Sequence, residues 1–224
     1  DPIYGPACTV GEFTLQCGFL ASAGEFGTAL GSYATTSSSG VAVGWRANAR
    51  GTSVAIGNSA SADDLGVAIG GYSGAGRGSV AIGAGAGVGG TEYYWSSAGA
   101  IASGDRAVSV GAAERAIAIG AAHPDAHSSL PYDVRPCWTG ARGVSSIAFG
   151  YCASTEAEAG IAIGDSAAAS ERFGLAIGYM SSSAGEDAVA IGSSAVAQGW
   201  GSLALGRAAE AHTGGSIAIG RDAN

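Results

Sequence analysis

The chain has 224 residues, of which 40 are glycine, and only 12% of its residues are charged. An ordinary globular protein has about twice this fraction of charged residues, so the composition is typical of stacked repeats of small residues. The formal net charge is −8 and every basic residue is an arginine. This argues against clustered positive charge, and we expect no nucleic-acid partner. No run approaches the ~18 apolar residues of a spanning helix, so we expect no direct membrane insertion by this sequence.

A pentad typified by Ser53–Gly57 recurs along nearly the whole chain, and a short fixed period of this kind predicts a solenoid. The pentads end at Gly44, Gly57, Gly70, Gly83, Gly111, Gly120, Gly150, Gly164, Gly178, Gly192, Gly206 and Gly220. The glycine recurs at every thirteenth position from Gly44 to Gly83 and at every fourteenth position from Gly150 to Gly220. We therefore predict an all-β parallel solenoid of 13- and 14-residue coils, with a tighter bend in the first run.

Each coil contains two short strands, because a second alternating pattern of small residues follows each repeat glycine. In the first strand Val54 and Ile56 point to one side and Ala55 to the other, since side chains alternate along a strand. A coil this short encloses only a narrow interior, so we assign the alanines to the interior and the larger residues to the outside. We expect a substitution by valine at Gly57 or Gly192 to strain the bend that follows the strand.

The outward valine and isoleucine side chains form a long apolar stripe, which soluble monomers rarely expose. The predicted members of this interface are Val54, Ile56, Val67, Ile69, Val80, Ile82, Ile161, Ile163, Val189, Ile191, Ile217 and Ile219. Since the sequence has no helical segment to cover the stripe, we expect identical chains to cover it around a symmetry axis. Burial of the stripe alone is compatible with a dimer as well as with a trimer.

The repeat pattern breaks at two places, and these are the predicted sites of ligand contact. Counting one coil on from the first run places the next bend at Ser97, and thirty positions separate Gly120 from Gly150, which is one coil plus an insertion. Insertions in solenoids form surface loops, and interface hot spots favour Trp, Tyr and Arg. The candidate ligand-contact residues are Tyr93, Tyr94, Trp95, Arg135 and Trp138. Trp200 is a further candidate for contact. Local packing is the alternative for these aromatic residues, and for Trp45 and Trp200 the alternative is that each shields the adjacent bend.

The four cysteines allow three pairings, and the sequence alone does not choose among them. Proximity suggests that Cys8 pairs with Cys17, which would staple the first coil, and that Cys137 pairs with Cys152, which would tie the insertion to a coil. An end coil has no neighbour on one side and needs a cap. Free buried thiols are the alternative, because cysteine also serves as a small apolar residue.

The pentads SVAIG, GVAIG, GIAIG, AVAIG and SIAIG within residues 40–83 and 150–220 resemble the head domain of YadA-type trimeric autotransporter adhesins. The resemblance implies a left-handed parallel β-roll assembled as a homotrimer. It also implies display on the surface of Gram-negative bacteria, with anchoring in the outer membrane through regions outside this sequence. The implied partner is a host extracellular-matrix protein or a cell-surface receptor. A head that only spaces other heads is the alternative.

The middle of the chain is similar to the neck motif of this family, in which chains cross toward a neighbour. The similarity lies in Ala107–Gly111, followed by Glu114–Ile117. Gly120 follows Gly111 after only nine positions, too few for a full coil, so we expect the chain to change its path there. The predicted segments are a first head segment at residues 1–106, a neck-like or bridging segment with the loop insertion at residues 107–149, and a second head segment at residues 150–224.

No group of residues points to catalysis, a metal or a cofactor. His123, Asp125 and His127 have a spacing compatible with metal ligands, but a solvated loop is the favoured interpretation. The carboxylates of Asp63–Asp64 and Glu156–Glu158 fall at the bends of separate repeats, whereas a glycosidase gathers its acids in one cleft. We therefore predict a non-enzymatic adhesin. The rivals are an ice-binding solenoid, which would show a threonine ladder that this sequence lacks, and a polysaccharide-degrading solenoid.

Overall fold

The computed structural model describes residues 8–88, 101–103, 108–109, 115–120 and 139–224. Over these residues the chain is all-β, with 27 short strands and no helix. The described residues accordingly contain no helix with the length and hydropathy needed to cross a membrane. The strands form one sheet of 15 strands and one of 12 strands, and the order of strands in each sheet follows the chain.

The first sheet consists of Thr9–Val10, Leu15–Cys17, Thr28–Leu30, Val41–Val43, Val54–Ile56, Val67–Ile69, Val80–Ile82, Ile101–Ser103, Ile117–Ile119, Ile147–Phe149, Ile161–Ile163, Leu175–Ile177, Val189–Ile191, Leu203–Leu205 and Ile217–Ile219. The second sheet consists of Thr35–Thr36, Asn48–Ala49, Ser61–Ala62, Gly74–Ala75, Gly87–Val88, Val108–Ser109, Gly140–Ala141, Ser154–Thr155, Ala168–Ala169, Ser182–Ser183, Val196–Ala197 and Glu210–Ala211. Each regular coil therefore contributes one strand to each sheet.

Successive coils stack by parallel strand pairing in the register that the sequence predicts. Val54 pairs with Val67, which lies thirteen positions later, and Ile161 pairs with Leu175, which lies fourteen positions later. The predicted all-β parallel solenoid with two coil lengths is confirmed. Because equivalent residues of successive coils lie directly above one another, every repeat position forms a column along the solenoid.

The difference between the two coil lengths lies in one bend. We call the bend after a first-sheet strand the first bend and the bend after a second-sheet strand the second bend. The first bend has four residues in both kinds of coil, for example residues 57–60 and 164–167. The second bend has four residues, 63–66, in the shorter coil and five residues, 170–174, in the longer coil. The tighter bend predicted for the first run is therefore the second bend.

Alanine fills the centre of the solenoid on the first-sheet side. The buried alanines at the middle position of the first-sheet strands are Ala29, Ala42, Ala55, Ala68, Ala81, Ala118, Ala148, Ala162, Ala176, Ala190, Ala204 and Ala218. They stack in register, as Ala55 does on Ala68, at the strand spacing of roughly 4.8 Å. The predicted assignment of alanine to the interior is confirmed, and the column leaves no space for a branched side chain.

The repeat glycines form a second column, in which a side chain has no space. Gly192 has a φ of +136°, which L-residues rarely adopt, and a Cβ at Gly192 would lie 2.3 Å from the carbonyl oxygen of Gly206 in the next coil. Gly57 has the same environment, with a φ of +139° and 2.4 Å from its would-be Cβ to the carbonyl oxygen of Gly70. These contacts support the expected strain of a valine at either position.

The irregular middle of the chain departs from the constant period. Val80 pairs with Ile101, which lies twenty-one positions later. The prediction that the coil after Gly83 has the regular length is therefore wrong. The predicted bend at Ser97 lies outside the described residues. The next first-sheet strand is Ile117–Ile119, in which Ile117 pairs with Ile101, sixteen positions earlier. The coils in this part of the chain are longer because their connections are longer, while the strand register is kept.

The pentad that ends at Gly111 belongs to a different sheet from the other pentads. Its strand, Val108–Ser109, pairs with Gly87–Val88 and Gly140–Ala141 of the second sheet. The interval between Gly111 and Gly120 is short because it leads from a second-sheet strand to the first-sheet strand that follows it, which is less than one coil. The described strands of the predicted bridging segment continue both sheets, and the three segment boundaries stay a prediction.

A hairpin forms the N-terminal end of the first sheet. Thr9–Val10 pairs with Leu15–Gln16 in antiparallel register, whereas the other described strand pairs are parallel. A disulfide between Cys8 and Cys17 closes the hairpin. This short antiparallel strand covers the edge of the first coil, with which no other described strand pairs on that side. Cys152 is also disulfide-bonded, and Cys137 lies outside the described residues.

Candidate interaction surface

The outer face of the first sheet is an apolar stripe. In the three-residue first-sheet strands of the two regular runs, the first and third residues face outward, and all twelve predicted interface residues occupy these positions. None of the twelve is buried; Ile56 is 38% exposed, Ile163 is 37% exposed and Ile219 is 61% exposed. The chain itself therefore leaves these side chains uncovered, and their role as an interface between chains stays a prediction.

The stripe is continuous over both regular runs of coils. From Val41–Val43 to Val80–Ile82, and again from Ile147–Phe149 to Ile217–Ile219, each outward residue of the first sheet is Val, Ile, Leu or Phe. The second run alone stacks six strands, which span roughly 24 Å at the usual strand spacing. Soluble monomers rarely expose apolar patches of this extent, and exposed patches of this kind are typical of contact surfaces.

The outer face of the second sheet has the opposite character. The outward residues of its regular coils are mostly small or polar, and they are Thr35, Asn48, Ser61, Gly74, Ser154, Ala168, Ser182, Val196 and Glu210. In the regular coils each first-sheet strand has three residues and presents two outward side chains, whereas each second-sheet strand has two residues and presents one. Only the first-sheet face of the described coils therefore offers a continuous apolar surface for association.

The second bends carry charged side chains that pair between successive coils. The pairs are Arg50 with Asp63 at 2.8 Å, Arg142 with Glu156, and Arg172 with Glu158 at 3.0 Å. All three are exposed to solvent, and such pairs contribute at most about 1 kcal/mol each. Asp63, Glu156 and Glu158 thus each pair with a different arginine, and Asp64 accepts a hydrogen bond from the backbone N–H of Thr52 at 3.3 Å.

The first bends of the N-terminal coils carry a cluster of aromatic side chains. The rings of Phe19 and Tyr33 meet edge to face, with their centroids 5.6 Å apart. The guanidinium carbon of Arg46 lies 4.4 Å from the ring centre of Trp45 and 5.8 Å from that of Tyr33. All four residues are exposed, so they form a solvent-facing surface of ring faces around one cation.

Trp45 is the one member of this cluster that the sequence pattern indicates, as a shield of the bend. The cluster arises because residues about one coil apart in the sequence meet when the coils stack. The available signal was the pair of residues directly after each repeat glycine, which includes Phe19 after Gly18 and Trp45 after Gly44. Reading that position down the repeats groups the aromatic residues on one edge.

Five candidate ligand-contact residues from the sequence analysis lie outside the described residues, namely Tyr93, Tyr94, Trp95, Arg135 and Trp138. The same holds for His123, Asp125 and His127. Within the described ranges, no three residues of the types His, Cys, Asp and Glu gather closely enough to hold a metal ion.

The chain is similar to a known repeat family over its C-terminal part. The model of the YadA head domain repeat (2 copies) matches residues 141–167, 169–195 and 197–223. Each match is almost as long as two coils of the second run, so the matched unit corresponds to a pair of coils in the fold. No curated protein matches the chain.

Proposed function

Because residues 141–223 form a YadA-like head domain, we propose that this protein is the head of a trimeric autotransporter adhesin that attaches bacteria to host cells or to host extracellular matrix. The family supports an adhesin-like role at the cell surface in general. The repeat family and the solenoid fold together support a structural protein and not an enzyme. The single observation that carries the adhesin role is the match of residues 141–223 to the head repeat, and the continuous apolar stripe on the first sheet supports the association of identical chains.

Three copies of the chain around a common axis would bury the stripe. An interface of this kind uses the same column of side chains on each copy, which a solenoid provides along its whole length. An isoleucine that passes from partial exposure, as at Ile163, to full burial contributes about 1 kcal/mol. Summed over the twelve predicted residues, this contribution is large enough to hold the subunits together.

Adhesion by such a head is multivalent. Three copies present each contact surface three times on one rigid rod, so weak individual sites give strong attachment through avidity. The surfaces proposed from the sequence are those of Tyr93–Trp95, Arg135 and Trp138. Anchoring in the outer membrane would place the head where it meets a host surface.

The first test is the mass of the purified chain in solution by light scattering. We expect a mass near three times 21.5 kDa, and we expect the Ile163→Asp variant to dissociate, because three carboxylates would meet in the apolar interface. Ala168→Asp is the matched control, because Ala168 faces outward on the second sheet and its variant should keep the parent mass. A monomeric parent would overturn the proposal.

The second test separates an adhesin from a spacer head. Beads coated with the trimer are counted on host cells and on immobilised matrix proteins, alongside beads coated with Ile163→Asp at equal protomer density. The proposal predicts that the parent attaches and that Tyr94→Ala with Trp95→Ala weakens attachment. A trimer that attaches to neither cells nor matrix would support the spacer alternative.

A further inference from the structure

We propose that the aromatic edge of the N-terminal coils binds a carboxylate-bearing glycan that lies along the solenoid. We define the aromatic edge as residues 19–20, 32–33, 45–46, 58–59 and 71–72, on the first bends of five successive coils. This inference rests on the proposed function as an adhesin and names a ligand class for it. Its support comes from the exposure, the rigidity and the charge of this edge.

The aromatic edge presents large ring surfaces to solvent. Tyr72 is 71% exposed, Phe19 is 50% exposed and Trp45 is 42% exposed. Tyrosine and tryptophan combine a flat apolar face with a polar tip, and both suit a partner that is apolar on its faces and polar at its rim. A sugar ring has this character, because its axial C–H groups stack on aromatic faces while its hydroxyl groups take hydrogen bonds.

The backbone of this edge is fixed before any ligand arrives. Each bend donates a hydrogen bond to the bend above it, as Tyr33 N does to Phe19 O at 2.8 Å and Ser59 N does to Trp45 O at 2.8 Å. Tyr72 N continues the ladder to Asn58 O at 2.7 Å. A ligand that binds here therefore loses little affinity to the ordering of the protein.

The charge on this edge has one sign. Among the ten residues that define it, Arg46 is the charged residue. The acidic residues of the same coils, Glu25, Asp63 and Asp64, lie on the second bends at the opposite edge. A chain with a net charge of −8 thus keeps a carboxylate-free surface around a single cation, which favours an anionic ligand at that point.

Arg46 lies over the Trp45 ring at the exposed edge. Its guanidinium carbon is 4.4 Å from the ring centre, and the N–H groups of a guanidinium point outward in the plane of the group. A carboxylate accepts two of these hydrogen bonds side by side. Nearby, the Asn58 side chain accepts a hydrogen bond from the Ser59 hydroxyl at 3.0 Å, so amide and hydroxyl groups for sugar hydroxyls follow along the same column.

An extended glycan fits this edge better than a protein surface does. The edge is only two residues wide on each coil, whereas a specific protein interface buries about 800 Å² on each partner. A linear sugar chain along the solenoid would meet a new bend every ~4.8 Å. A sugar would then contact the part of the Trp45 ring that Arg46 leaves exposed, and a uronate carboxylate would meet Arg46.

The test is calorimetric titration of the purified protein with an oligosaccharide of alternating glucuronate and N-acetylglucosamine, and with its carboxyl-reduced form. We expect Trp45→Ala to weaken binding of both sugars by about tenfold or more. Arg46→Gln should weaken binding of the acidic sugar and leave the reduced sugar unaffected. The matched control is Phe173→Ala, since Phe173 is 47% exposed on a second bend and lies beside Arg172, and it should bind both sugars as the parent does.

Three results would overturn the proposal. One is a parent protein that attaches to cells but binds neither sugar, which leaves the adhesin function standing. Another is that Trp45→Ala no longer attaches to cells although the parent protein binds neither sugar, which would identify a protein partner. The third is a lower solution mass for Trp45→Ala and for Tyr33→Ala, which makes the edge a subunit contact. A monomeric parent protein would contradict the proposed function itself, and the solution mass alone detects this outcome.

Discussion

A Cβ at Gly192 is the most informative single change in this fold. The substitution Gly192→Ala adds one methyl group at a φ of +136°, and that methyl would lie 2.3 Å from the carbonyl oxygen of Gly206 and 2.6 Å from its carbonyl carbon. Both atoms are backbone atoms of the next coil. The new methyl therefore cannot be accommodated by a side-chain rotation, and the stacked bends must move apart.

The expected magnitude follows from two contributions. An L-residue held in such a backbone conformation costs about 1–3 kcal/mol, and forcing a methyl into a close-packed contact costs about 1–3 kcal/mol. We expect a total of about 3 kcal/mol. For a chain of this size each kcal/mol lowers Tm by about 2–4 °C, so Tm should fall by about 6–12 °C.

Gly74→Ala is the matched control. A Cβ at Gly74 would meet nothing within 4 Å, and Gly74 has no positive φ. Ala168 occupies the equivalent outward position of a later coil. This variant should be unchanged or slightly more stable, by about 0.5 kcal/mol.

Thermal unfolding is followed by circular dichroism at equal protomer concentration, because association shifts Tm. A Gly192→Ala protein that melts within a degree of Gly74→Ala would refute the argument that the coil spacing excludes a side chain at this column.

Three further changes test other parts of the fold. Ala190→Leu should lower Tm, because the buried alanine column cannot take a larger side chain. Val189→Leu should leave Tm unchanged, since Leu175 and Leu203 lie in register beside Val189. Equal Tm values for the two variants would contradict the assignment of alanine to the interior. Ile163→Asp should lose the trimer mass that Ala168→Asp keeps, and a full-size Ile163→Asp would place the interface elsewhere. Replacing Cys8 and Cys17 by serine should lower the stability of the hairpin by about 2.5 kcal/mol. The effect should stay local, because each coil of a solenoid contacts only its neighbours. Hydrogen exchange should accelerate in the first coils, and acceleration across the whole chain would contradict this.

The regular coils were predictable from the sequence because their physics is local. The alternation of Val54, Ala55 and Ile56 decides which side chains face inward, and the coil length decides that only small ones fit. The repeat glycines mark the first bends for the same reason. The fold class, the coil lengths and the two faces of the first strand follow from these rules without knowledge of any contact between coils.

The sites on the surface were only partly predictable. The sequence shows that Trp45 lies beside a bend. It does not show that Arg46 contacts the rings of both Trp45 and Tyr33. Tyr33 lies about one coil before the other two in the sequence, and its contact with Arg46 requires the stacking of coils in register. Aromatic residues that look isolated along the chain become neighbours along a column.

The sequence by itself determined that this chain is a parallel solenoid with an alanine interior and an outward apolar stripe. Only the tertiary structure decided that the strand Val108–Ser109 lies in the second sheet although its pentad resembles those of the first. It also located the extra residue of the longer coils in the second bend. The physical reason is that side-chain alternation is a local property, whereas the sheet that a strand joins depends on the lengths of the connections on both sides and on the neighbouring strands that are left to pair with it.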